Sequence, residues 1–237
     1  MPLLNFHKKS DEEIMQFMLP LYYTTESVTN VDMDLAHASW TLITSDTSPR
    51  YLDKKEKSNM LQPSCISWFY TTFYNRLFDI HPACKPLFNR GIIGQGNFLV
   101  KMISLTLSQL RNANTFKQTM ESLAERHCEW GVRGVEYGIV GDVLFYSLHF
   151  VLGDEAFNEQ VQQAWWKVYS AMLTHILPIC IRHERDGTCN IPRKGAIYAP
   201  STSCPVFSKG STSISTCPVS VDRAMTLENA DSDRVTP

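Results

Sequence analysis

The chain has 237 residues, 43% of them hydrophobic and 19% charged, with a formal net charge of −2. That is enough for one substantial domain with tails. The near-neutral balance excludes the basic excess of a nucleic-acid binder, and the apolar runs stop short of the about 20 residues that a membrane span needs. Seven cysteines are present, none in a CxxC pair. Their wide spacing fits a reduced chain better than a disulfide scaffold or a structural zinc site. No charged-then-apolar leader is visible, because Ser10-Asp11-Glu12-Glu13 follows the first residues. The expected location is cytoplasmic.

Residues 1–28 read as an N-terminal extension. Ser10 and Glu13 form an S-x-x-E capping box, which predicts a short helix from Asp11 to Leu19 that stops at Pro20. It is read as a docking helix, with a regulatory lid as the alternative. A second helix is expected over about 30–44, with Leu35, Trp40 and Ile43 as its apolar positions. Residues 45–63 turn polar and are expected to be a long surface insertion. Ser64 opens a helix in which Trp68, Phe69, Phe73, Leu77 and Phe78 recur at helical spacing until Pro82. An irregular corner follows at 81–88, then a loop over Asn89–Gly94 with two glycines. Gln95, Leu99, Met102, Ile103, Leu107 and Leu110 make a clean helical stripe. Thr115 with Gln118 is expected to cap the next helix, on which Phe116, Met120, Leu123 and Ala124 share a side with His127. A long helix over about 135–152 and another over about 155–182 complete the domain, separated at Gly153-Asp154, with Pro178 kinking the last. No strand-length alternation occurs in this region. The class is all-α. Residues 187–237 are rich in Ser, Thr and Pro without periodicity and read as a disordered tail.

Three residues carry the chemical reading. A histidine on an apolar helix face, as His127 is, suits a neutral axial ligand to an iron in an apolar pocket. Tyr74 and Gln95 each place a polar tip on the apolar face of a different helix, which is costly unless something binds them. Both are hydrogen-bond donors of the kind that would stabilise a partly negative diatomic ligand. Each has a plain structural alternative. His127 is a core histidine, Tyr74 packs with its hydroxyl at the surface, and Gln95 is a helix-start residue facing water.

Taken in order, these segments resemble the globin family, and most closely its single-domain bacterial-haemoglobin and flavohaemoglobin-like members. The resemblance rests on Phe73-Tyr74-Asn75-Arg76-Leu77-Phe78 with His81-Pro82, Lys85-Pro86-Leu87-Phe88, and Gln95-Gly96 with Leu99. It continues with Arg126-His127, Gly131-Val132, Tyr137, Val140-Gly141 and Ala164-Trp165, and covers about residues 30–183. It implies a globin fold over 29–186 holding one haem. His127 is then the proximal iron ligand, Phe88 the packing phenylalanine at the haem edge, Gln95 the distal residue, and Leu99 the residue over the iron. Tyr74 is the distal tyrosine and Tyr137 the residue flanking the proximal histidine, with a purely structural role as its alternative.

Two departures stand out. The flavohaemoglobin type carries a glutamate on its last helix that bonds the proximal side. Around Ile179-Cys180 there is no carboxylate, and the nearest is Glu184. The insertion at 45–63 also lengthens the link between the first two core helices. His81 is read as solvated, and His37, His149 and His175 as surface or core residues. No histidine lies between Phe88 and Thr115, so bis-histidine coordination is not expected, although Met102 or Lys101 could ligate. The absence of Cys-x-x-Cys-His predicts non-covalent haem b.

The expected function is reversible dioxygen binding at ferrous haem, for storage or transport, with Tyr74 and Gln95 as donors. The alternatives are a nitric oxide dioxygenase and a haem-based gas or redox sensor. The dioxygenase would depend on a separate reductase, since the stretch after Arg182 is too short to fold as a flavin and nicotinamide domain. Expected partners are dioxygen, other diatomic gases and that reductase, with no nucleic acid and no membrane. The oligomeric state is open.

Overall fold

A computed structural model describes residues 10–57, 62–88 and 91–188. The described residues are all-α, in the order α1 (Asp11–Met18), α2 (Asn30–Thr44), α3 (Pro49–Glu56), α4 (Cys65–Ile80), a 3-10 segment (Pro82–Leu87), α5 (Gly91–Gln109), α6 (Ala113–Glu129), α7 (Gly134–Ala156) and α8 (Glu159–Arg185). This is the architecture of the globin fold. The expected disordered tail lies outside the described residues from 189 onward.

The helices start where local chemistry predicts. Ser10 Oγ accepts from Glu13 N–H, and the Glu13 carboxylate accepts from Ser10 N–H at 3.0 Å. Thr29 with Asp32 and Ser64 with Ser67 form two more reciprocal caps. The core is built on α7 and α8, where Phe145, Leu148, Val151, Leu173 and Ile176 are shut from solvent. Among the described helices, α7 alone is long and apolar enough to cross a membrane, contrary to the sequence expectation. Its most apolar stretch is 61% buried inside the fold, the state of a core helix. An aromatic chain crosses the molecule from α8 to the end of α4. Trp165 meets Trp40 at 6.5 Å, Trp40 meets Phe69 at 5.2 Å, and Phe73 meets Tyr74 at 5.2 Å.

Several boundaries differ from the sequence reading. The stretch 45–63 is not merely a surface insertion. It folds α3, buries Tyr51 at 1% exposure and closes Ser48 from solvent entirely. Ser48 Oγ donates to the Val151 carbonyl at 2.7 Å, and Asp46, at φ 59°, accepts from Cys65 N–H at 2.6 Å. A polar composition hid this because the anchors are themselves Ser, Asp and Tyr. The Asn89–Gly94 loop is shorter than expected, since α5 begins at Gly91 in the left-handed conformation that opens the chain's turn. Asn112, not Thr115, caps α6, accepting from Thr115 N–H at 3.1 Å. The break at Gly153 is present (φ 80°), but helical turns resume to Ala156, and α8 starts at Glu159 under an Asn158 cap.

The N-terminal extension docks along α7 and α8. Met18 is buried against Gly134, where a Cβ would come within 2.6 Å of its sulfur. Tyr22 lies over Gly141, and its hydroxyl donates to the Gly138 carbonyl at 3.1 Å. Arg185 pairs with Asp11. Gly134, Gly138 and Gly141 of α7 are therefore helical landing sites for this segment. Asp142, beside Gly141, is half-buried, and desolvation pushes its carboxyl up to about 6.

Two stability outcomes are expected. Ser48→Ala strands a buried carbonyl and should cost about 1–3 kcal/mol, seen as a lower urea midpoint with an unchanged slope. Asp142 has a folded-state value above its unfolded one, so it favours folding at low pH and loses that contribution as pH rises through about 6. Asp142→Asn should therefore stabilise the protein by roughly 1–3 kcal/mol at pH 8 and by almost nothing at pH 4, read from paired denaturant titrations.

Candidate functional site

The site begins with a helix face. On α6, Phe116, Met120, Ala124 and Cys128 are buried at successive turns, which fixes the rotation that carries His127 inward. Its Nδ1 lies 2.8 Å from the Leu123 carbonyl one turn back. A carbonyl only accepts, so Nδ1 carries the proton and Nε2 the lone pair. Burial lowers the tendency of the ring to protonate, partly offset by the Leu123 bond. The ring sits 5.6 Å from Trp130 and 6.0 Å from Tyr137, centre to centre.

Contacts with α8 position α6. Glu125 accepts from Arg182 Nη2 and His183 Nε2, each at 2.5 Å, tying it to the end of α8. Cys128 and Cys180 meet across the same helix pair with their sulfurs 3.7 Å apart. The start of α7 is held by Glu184, whose Oε1 accepts from Gly134 N–H at 2.7 Å. Burial pushes that carboxyl above its ordinary value, while the Gly134 bond pulls the other way. Glu184 thus caps α7, and the acceptor on the His127 ring is a backbone carbonyl.

Tyr137 is 7% exposed, and no oxygen or nitrogen acceptor reaches its hydroxyl among the described residues. Burial, then the neighbouring Cys180 and Cys128 thiols, push its titration well up. Its carbonyl accepts from Tyr169 Oη at 2.7 Å.

A second cluster of the expected site residues is made by α4, α5 and the 3-10 corner. Tyr74 is 4% exposed, which removes the surface alternative, and its ionisation is pushed up by desolvation. It stacks edge-on to Phe88 at 5.3 Å, and Phe88 meets Phe78 at 5.5 Å. The Tyr74 hydroxyl donates to the Gln95 carbonyl at 3.2 Å. Tyr74 and Gln95 are therefore brought together through backbone, not side by side as two free donors. Gln95 and Leu99 are both partly buried on α5. Gly96 explains the close approach of α5 to α4, because a Cβ there would come 2.3 Å from a Tyr70 ring carbon.

The sequence reading missed three features. His81 is not solvated: its Nε2 lies 3.0 Å from Glu136 Oε1 in a largely buried pair that joins the corner to α7. Trp130, against the His127 ring, is 58% exposed. Cys128 and Cys180 were each placed in a helix but not paired. The signal was available in the apolar stripes of α6 and α8, which carry Cys128 and Cys180 near their C-terminal ends. A separate cleft of about 320 Å³ between residues 23–28 and α8 touches none of the site residues.

A neutral histidine with its Nε2 lone pair uncommitted, on the inward side of an apolar helix stripe, has the donor chemistry that a haem iron takes. The globin family model matches residues 71–176. This chain carries a flavohaemoglobin-like globin domain. The domain is similar to the flavohemoprotein of Rhizobium meliloti (strain 1021), with 32% identity over 100 residues, 41% of this chain and 25% of the relative. The flavohemoprotein of Bordetella pertussis (strain Tohama I) is 30% identical over 103 residues, covering 42% of this chain and 25% of its own length. That of Chromobacterium violaceum is 28% identical over 110 residues, 45% of this chain and 27% of its own. The chain thus spans about a quarter of the length of the curated relatives it matches.

Gly96→Ala should drive α5 off α4, lowering the melting temperature by several degrees for an overpacking cost of about 1–3 kcal/mol. It should also red-shift tryptophan emission as the α4–α5 cluster loosens. A melt and spectrum identical to those of the unaltered chain would show that the Tyr70 contact does not constrain the cluster.

Proposed function

We propose that this globin binds dioxygen reversibly at a non-covalent haem b held by His127, within a domain spanning residues 29–186. The observation that carries the reading is the tautomer of His127. The Leu123 carbonyl takes the Nδ1 proton and burial opposes a second one, so Nε2 is left as a neutral donor. A haem held there by His127 would supply the iron at which a diatomic gas binds.

The chain's own residues do the rest. Phe88, Tyr74 and Phe78, packed edge to face, offer aromatic contact for a macrocycle. Tyr137 closes the proximal side and supports the imidazole by ring contact. On the distal side Tyr74 and Gln95 are the donors, and Leu99, one turn on from Gln95, sets the apolar limit of the pocket. The Tyr74 proton lies on the Gln95 carbonyl in this structure, so presenting it to a ligand requires a small rotation of the hydroxyl. A cytoplasmic setting is consistent with four buried thiols at Cys65, Cys84, Cys128 and Cys180. The relatives named flavohemoprotein support a reductase as a partner for turnover.

Haemin titration tests the reading. The purified chain should take up about one equivalent and, once reduced, give a carbon monoxide spectrum typical of histidine ligation. His127→Ala should lose pigment on gel filtration; equal retention would end the proposal. Tyr74→Phe should speed dioxygen dissociation by about one to two decades, the value of one charge-assisted hydrogen bond, measured by stopped flow.

A further inference from the structure

The sulfurs of Cys128 and Cys180 are 3.7 Å apart, and both side chains are fully closed to solvent. Cys128 directly follows the candidate iron ligand in sequence, and Cys180 reaches it from α8. We propose that this pair is a redox modification site: an intramolecular disulfide linking α6 to α8 that moves His127 and so resets ligand binding.

A disulfide brings sulfurs to 2.03–2.05 Å, so closure needs a contraction of roughly 1.7 Å. Both helices can yield at this point. The last turn of α6 is already loosened: the Trp130 N–H is shared between the Arg126 carbonyl at 3.2 Å and the His127 carbonyl at 3.1 Å. Gly131 follows at φ 80° and absorbs a change of direction. On α8, Pro178 stands two residues before Cys180 and removes a helical N–H, which weakens the turn carrying the thiol. Neither helix has to break for the sulfurs to meet. The two cysteines are 52 positions apart in sequence, so the bond would join elements that are otherwise held here by packing and by the Glu125 pairs.

Hydrogen peroxide is the oxidant class that fits closed sulfurs, being little larger than water. One thiol sulfur attacks a peroxide oxygen, the O–O bond breaks, and a water leaves with formation of a sulfenic acid. The second thiol attacks that sulfur, the S–O bond breaks, and a second water leaves. Two electrons pass from the two sulfurs to the peroxide, and the thiol protons end in the two waters. Thiol exchange with a reductant reverses the bond.

The cross-link itself does not depend on haem, whereas its effect on ligand binding rests on the reading above. The test uses the full-length haem-loaded protein in its ferrous carbon monoxide form, in which the iron is blocked from peroxide. After treatment with a few equivalents of hydrogen peroxide and alkylation, peptide mapping should find the Cys128 and Cys180 peptides joined, and dithiothreitol should part them. The joined peptide should persist in Cys84→Ser and vanish in Cys128→Ser and Cys180→Ser. Carbon monoxide recombination after flash photolysis should change at least threefold on oxidation, return on reduction, and stay constant in Cys128→Ser. Alkylated, unlinked Cys128, or Cys128 joined to another cysteine, overturns the site. A cross-link with unaltered recombination overturns the coupling to His127. If the chain takes up no haem, mapping on the colourless protein still decides the cross-link.

Discussion

The hydrogen bond from His127 Nδ1 to the Leu123 carbonyl governs what the rest of the molecule can do. An imidazole ligates a metal only when one nitrogen is free of its proton, and water would leave both tautomers and the cation accessible. Here the acceptor comes from the preceding turn of the same helix. The Leu123 oxygen has two lone pairs, so it can take the ring N–H in addition to the backbone N–H that helical geometry already directs to it. Burial then disfavours the cation, partly offset by the Leu123 bond. The selection of tautomer costs the fold almost nothing, because it uses an acceptor that the helix provides in any case.

That bond is useful only if α6 is held at the right rotation and height, and the surrounding contacts divide this labour. The buried stripe from Phe116 to Cys128 sets rotation. Height is set at the helix end by Glu125, which receives both Arg182 and His183. These groups are partly exposed, and isolated pairs of this kind contribute little stability each. Their value here lies in aligning two helix ends. The stronger constraints are neutral and buried: Tyr169 on the Tyr137 carbonyl, Ser48 on the Val151 carbonyl, and Tyr74 on the Gln95 carbonyl. Each ties a side chain to the backbone of another element, and losing one would strand a desolvated acceptor. The same device recurs near His127 and at Tyr74, so both groups of residues are anchored to backbone positions.

The sequence made the helices and their order legible, along with the burial of Tyr74, because these depend on periodicity and on short-range capping. Ser10-Glu13 and Ser64 announced their helices through contacts within four residues. What escaped was everything that depends on pairing across the chain. The anchoring of residues 46–51 under α7 involves a serine, an aspartate and a tyrosine in a polar stretch, so composition pointed to the surface and only the long-range bond to Val151 shows otherwise. His81 looked like a solvated corner residue until Glu136, far along the chain, turned out to face it. The hydroxyl of Tyr74 was legible as a buried group in need of an acceptor, but not that the acceptor would be the backbone of Gln95 instead of a ligand. Gly138 and Gly141 were visible as glycines, while their purpose as seats for Pro20 and Tyr22 was not, since nothing in a helix sequence says which face an extension will cover.

The two sides of the site are chemically unequal, and this inequality bears on function. A carboxylate bonded to Nδ1 would draw the ring proton toward itself and leave Nε2 richer in electrons, which favours pushing charge into a ligand and breaking bonds within it. A peptide carbonyl does this only weakly. In this chain the carboxylate nearest in sequence to Cys180, Glu184, caps α7 through Gly134, and the space beside Tyr137 is filled by two thiols. The proximal wall is therefore neutral and apolar. The α4–α5 cluster carries a tyrosine hydroxyl bonded to the backbone carbonyl of Gln95. Donors on the distal side stabilise a bound ligand that has acquired partial negative charge, and they do so without supplying electrons. Under the proposed reading, a ligand gripped from the Tyr74 and Gln95 side with little push from the His127 side would be bound and released, and redox turnover would depend on an electron source that a partner brings.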